Sequence, residues 1–145
     1  KIILSLIRNY MLQMDTQWSD RKKKVERVLI PMMIFVYVDP AEQREVIELP
    51  SVLRYLVLRG ERTPAEIPHV QMERFKFMVD YSDSPVQFEL EELQPGQRVR
   101  VIKGSLAGLE GELVTVNGKS SIAIRIQQLG CATVAMSGSM IEKIV

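Results

Sequence analysis

Soft metal ligands are nearly missing from this chain, which holds one cysteine, Cys131, and one histidine, His69. A lone cysteine cannot close an internal disulfide, and the two residues together make too small a set for a structural zinc. Long apolar runs are missing as well. None reaches the roughly 20 residues needed to cross a bilayer, and nothing near the start resembles a signal peptide with its small-residue cleavage site; a cytoplasmic location is expected. His69 follows Pro68 with no serine or cysteine nucleophile paired to it, so it reads as a surface histidine rather than a catalytic base. No enzyme chemistry, cofactor or metal is expected.

A large charge of either sign is also absent, since 19 basic and 18 acidic residues leave +1. Such a chain does not coat nucleic acid indiscriminately. Charge is nevertheless segmental: residues 1–39 carry seven basic and four acidic side chains, residues 40–92 six and eleven, and residues 93–145 six and three. A local basic stripe can still meet a phosphate backbone. What is abundant is apolar residue, 46% against 26% charged, the balance of a folded protein with room for one ordinary domain or two small ones in 145 residues. The chain begins at Lys1 rather than at methionine, which suggests a missing N-terminal stretch.

KIILSLI (Lys1 to Ile7) suits a strand and equally the end of an amphipathic helix. KKVERVLI (Lys23 to Ile30) and MMIFVYV (Met32 to Val38) read as consecutive strands of one sheet, separated by Pro31, which cannot donate to a ladder. Both faces of MMIFVYV are apolar, with Met33, Phe35 and Tyr37 opposite Met32, Ile34, Val36 and Val38, so one face needs a second cover. Asp39-Pro40-Ala41-Glu42 has the cap, the proline and the returning carboxylate of a helix start, and that helix should end before Pro50. A strand at VLRYLVL (Val52 to Leu58), a loop from Gly60 to Pro68, and a helix over 69–80 with Met72, Phe75 and Val79 on one face follow. Strands and helices in mixed order over one sheet make an α+β module.

Residues 81–92 are acidic and polar with Pro85 inside, as expected of a linker. Then RVRVI, GELVTV, SIAIRI and CATVAM alternate in short strands, a small all-β barrel or sheet of about 50 residues. Gly118-Lys119-Ser120 resembles the end of a phosphate-binding loop. That motif needs a glycine where Leu113 stands and a helix where SIAIRI is a strand, so it fails. Asn117-Gly118 instead fits a tight hairpin whose central residues favour positive φ. Gly104, Gly108 and Gly111 flank the connection between RVRVI and GELVTV.

VRVIKGSLAGLEGELVTV, the hairpin and SIAIRI together resemble a KOW motif, the small β-barrel of NusG-type transcription factors and of several ribosomal proteins, with Gly111 at its characteristic glycine. Upstream, TQWSDRKKKVERVLIPMMIFVYV, the acid-proline helix start, VLRYLVLRGERTPAEIP and a short helix are similar in order and spacing to the NusG N-terminal domain. Where that family has Phe-Pro-Gly-Tyr-Val-Phe-Val or a close variant, this chain has Ile30-Pro31-Met32-Met33-Ile34-Phe35-Val36. The wording from Trp18 to Lys24 looks most like the UpxY branch, antiterminators of capsular polysaccharide operons. Two departures stand out. The glycine and tyrosine after the proline are both methionine, and the family's opening aromatic strand and much of its first helix are not evident.

The resemblance implies an α+β domain over residues 1–80 (antiparallel sheet with flanking helices, NGN or RNP-like), a linker over 81–92, and an SH3-like KOW barrel over 93–145. It implies a grip on RNA polymerase through Ile30, Met33, Phe35 and Met72, with Arg44 on a helix nearby. Pattern alone favours core for the apolar four, and the resemblance reverses that for Met33 and Phe35. Trp18, Arg21, Lys22, Lys23 and Lys24 would meet non-template DNA, the alternative being a solvated hairpin tip. Leu106 and Leu109 would engage a ribosomal protein or a termination factor, or else be buried at a loop base. No membrane or small-molecule substrate is implied. A competing reading is an RNA-binding protein of translation that uses the same barrel.

Overall fold

The computed structural model describes residues 2–7, 29–90, 93–126 and 129–145, with side chains for all of these except 2–7. It divides into two compact units, Lys1–Glu66 and Ile67–Val145.

In the first unit, β1 (Ile2–Ile7), β2 (Met33–Tyr37) and β3 (Val52–Tyr55) form an antiparallel sheet in the order β2-β1-β3. Ile2–Ile7 is thus a strand, and a central one. Its register sets Leu4 opposite Phe35 and Leu6 opposite Met33. The strand expected over Lys23 to Ile30 falls mostly outside the described residues, and its last two positions, Leu29 and Ile30, form a bend. Helix α1 (Pro40–Ile47) starts as its sequence dictates: Asp39 Oδ1 accepts from the Glu42 amide at 2.8 Å and Glu42 Oε1 from the Asp39 amide at 3.2 Å. Below it, Val38 and Tyr55 form a small core with Val36 and Val46. The Tyr55 hydroxyl donates to the Gln43 carbonyl and ties β3 to α1. β3 ends three residues before Leu58, because the Leu56 carbonyl accepts from Ala65 at 2.7 Å and closes a loop instead of continuing a ladder.

Among the described residues, the second unit is a six-stranded antiparallel sheet with one α-helix. Helix α2 (His69–Tyr81) precedes β4 (Gln87–Glu89), β5 (Gln97–Val101), β6 (Glu110–Val116), β7 (Lys119–Ile126), β8 (Gly130–Ala135) and β9 (Ile141–Lys143). Their order is β4-β8-β7-β6-β5-β9. The four alternating segments of the sequence are β5 to β8, and the expected α+β region followed by a β-rich C-terminal region is what the chain forms. β4 arises inside the acidic stretch 81–92, where Phe88 gives an apolar side chain between two polar ones.

Asn117 and Gly118 both take positive φ, 51° and 77°, and turn β6 into β7 as a two-residue hairpin. Gly111 has another role. A Cβ there would lie 2.6 Å from the Ala123 carbonyl oxygen, so this glycine permits close strand approach and makes no turn.

Nearly every residue of SIAIRI is buried, despite its alternating look. Cross-strand partners share a face, so Ile124 lies with Ala132 and Phe88, and Phe88 meets the Phe75 ring of α2 edge-on at 6.2 Å. On the other face, Ala123 and Cys131 pack with Val114 under Leu93. Helix α2 buries Met72, Phe75 and Met78, whereas Val79, expected on that face, is 45% exposed. The buried stripe has turned toward Met78, as packing along β7 requires.

Candidate functional site

The apolar strand β2 is the best candidate surface. Pro31 and Met32 form a turn that launches it, and Met32 sits at φ 63°, in the left-handed region that a branched or bulky residue rarely adopts. The strand therefore starts one residue later than the sequence pattern suggests. From there Met33 and Phe35 lie on one face and Ile34 and Val36 on the other. Val36 packs into the core beneath α1. Met33 and Phe35, on the opposite face, are half-buried, and Tyr37 beyond them is 72% exposed. This apolar face is not shared with the α1 core.

The other expected contact residues fall elsewhere. Ile30 is buried, at the bend before the turn. Arg44 is exposed on α1 and its Nε donates to the Pro40 carbonyl at 3.3 Å, one helical turn back. Met72 belongs to the second unit, where it is buried on α2. Trp18, Arg21, Lys22, Lys23 and Lys24 lie outside the described residues.

Leu106 and Leu109 are 3% and 4% exposed. The alternative of burial at a loop base is the one the structure adopts. The loop folds back on β5 through Val101 N to Leu109 O (2.9 Å) and Gly108 N to Val101 O (2.7 Å), which draws both leucines inward.

The sequence reading missed an ionic cluster. Glu110 on β6 accepts from Arg100 at 2.7 Å and from Arg74 of α2 at 3.2 Å, with Arg98 at 4.0 Å; Arg100 also reaches Glu142 at 3.4 Å. Hydrogen bonding to Arg100 holds the Glu110 carboxyl below its ordinary value, and Glu110 in turn raises Arg100. The pairing of RVR with EGE is visible in the sequence once β5 and β6 are set antiparallel with Arg100 opposite Glu110. Nothing local marks Arg74 as the third partner. Among the described residues no group of histidine, cysteine, aspartate or glutamate is arranged to hold a metal, and no helix is long and apolar enough to cross a membrane.

Residues 6–76 match the NusG family model, described as transcription termination factor nusG. The match spans just under half of the chain. The match takes in β2, α1, β3 and most of α2. Among solved structures, the chain is similar to one described as "Domain interaction in Thermotoga maritima NusG", with 18% identity over 81% of this chain and 70% of that one and a TM-score of 0.41. No curated protein matches it.

Proposed function

We propose that this NusG-type chain is a transcription elongation and antitermination factor that binds RNA polymerase through the Met33 and Phe35 face of β2 and acts by binding rather than catalysis. The observation that carries the reading is an apolar strand face, half-buried and separate from the α1 core, inside the stretch that matches the family. An apolar face of this kind can take the apolar side of a partner's amphipathic helix. Arg44, exposed on α1, adds a polar contact. Burial of Ile30 and Met72 favours packing roles for both.

Two finer assignments belong to the same proposal. Trp18 with Arg21, Lys22, Lys23 and Lys24 would contact non-template DNA, and the wording around them favours service at polysaccharide operons in the manner of the UpxY branch. The β-rich unit would act as a KOW module that recruits a ribosomal protein or a termination factor through a surface other than the buried Leu106 and Leu109. The test is transcription by purified bacterial polymerase across a pause and a terminator. Added protein should shorten the pause or raise read-through; an unchanged profile, with no polymerase retained in a pull-down, would remove the proposal.

A further inference from the structure

The second unit holds a pocket of about 220 Å3, lined by polar side chains together with Pro85, Val116 and Ala135 and away from the β2 face. Its polar lining comes from Ser84, Gln87, Asn117, Lys119, Ser121 and Thr133, and no acidic residue lines it. Strand register brings these groups together. Gln87 pairs with Thr133, Thr133 with Ala123, and Ser121 lies two residues before Ala123, so Gln87, Thr133 and Ser121 share one face beside the Asn117-Gly118 turn.

Ser121 and Thr133 are the buried polar residues among those described, each 3% exposed. The Thr133 hydroxyl has no hydrogen-bond partner among the described residues, and Ser121 Oγ reaches only the Lys119 carbonyl, at a long 3.5 Å. Buried hydroxyls are nearly always satisfied, so two poorly satisfied ones facing a cavity mark a place for a bound group. Lys119 is exposed and makes no ion pair among the described residues.

We propose that this cavity binds a phosphate group, free or as a phosphomonoester. A phosphate is rich in acceptors, and every polar side chain of the lining can donate: the Lys119 ammonium, the Asn117 and Gln87 amides, and the Ser84, Ser121 and Thr133 hydroxyls. The charge of Lys119 meets no competing carboxylate in the lining, which disfavours a cation as occupant. The site is a strand-face pocket and owes nothing to a glycine-rich loop before a helix.

The experiment is an amide-shift titration of the 15N-labelled full chain with sodium phosphate, ionic strength held constant with sodium chloride, and a parallel titration with glycerol 3-phosphate. Saturable shifts at residues 117–121 and 132–135 are expected. Tighter binding of the monoester assigns the organic source, and equal binding the free anion. Thr133→Val and Lys119→Met should each weaken binding by about tenfold or more, as loss of a charged hydrogen bond does. Thr133→Ser keeps the hydroxyl and should keep the binding, which guards against a valine variant that fails to fold. Shifts that follow ionic strength alone, or undiminished affinity in a folded Thr133→Val protein, would overturn the assignment.

Discussion

Arg125 clasps Glu112 with two nitrogens, Nε to Oε2 at 2.9 Å and Nη2 to Oε1 at 3.2 Å. Both ends of the pair are anchored again, since Nη2 donates to the Leu93 carbonyl at 3.1 Å and Oε1 accepts from the Gly96 amide at 3.0 Å. The pair thereby pins the segment before β5 over the face of β7 that carries Ala123, where Leu93 packs on Ala123 and Cys131. Arg125→Met should lower the unfolding free energy of this unit by about 1–3 kcal/mol, the cost of leaving a largely buried carboxylate short of a partner. Urea unfolding reads this as a lower midpoint at unchanged m-value.

Acid should loosen the same unit. Burial alone would raise the Glu112 carboxyl, but the hydrogen bonds from Arg125 and the Gly96 amide outweigh it and the net shift is downward. Glu110 is also lowered, chiefly by its hydrogen bond from Arg100. A group depressed in the folded state contributes stability that is complete above its unfolded value, about 4.3 for glutamate, and fades as pH falls through the folded value. Melting temperature should therefore be flat from pH 7 to about 5 and decline below about 4. Glu112→Gln should lessen that decline, and an unchanged decline would show that Glu112 is not its source.

Met32 offers a stabilising substitution. Its φ of 63° is strained for a side-chain-bearing residue, and its side chain is half exposed, so removing it sacrifices little packing. Met32→Gly should stabilise the fold by about 1 kcal/mol, because glycine occupies the left-handed region without steric cost. Thermal melting of the variant against the parent protein is the measurement.

Met33→Asp tests the binding face. A charge placed at a half-buried strand position that lies outside the α1 core should leave the circular dichroism spectrum and cooperative melting intact while eliminating retention on polymerase. Loss of the cooperative transition would instead make Met33 a core residue.

Replacing Lys22, Lys23 and Lys24 by glutamine should flatten the dependence of complex affinity on salt. Each phosphate that is no longer neutralised by a lysine reduces the slope of log affinity against log salt by roughly 0.9 on duplex DNA and about 0.7 on a single strand. An unaltered slope would leave these lysines as a solvated run.

Where the physics was local, the sequence alone determined the outcome. Asp39, Pro40 and Glu42 made the α1 start readable because a capping box closes within four residues, and Asn117-Gly118 announced its hairpin because positive φ is a property of the residue itself. Tertiary structure alone decided the rest. Leu106 and Leu109 turned inward because their loop folds back on β5, Arg74 found Glu110 across 36 residues, and Met78 displaced Val79 because packing against a neighbouring strand, rather than helical period, selects the buried stripe. Ser121 and Thr133 came to one cavity only through the pairing of β4, β7 and β8. Contacts between distant segments depend on register and packing, which no short window of residues contains.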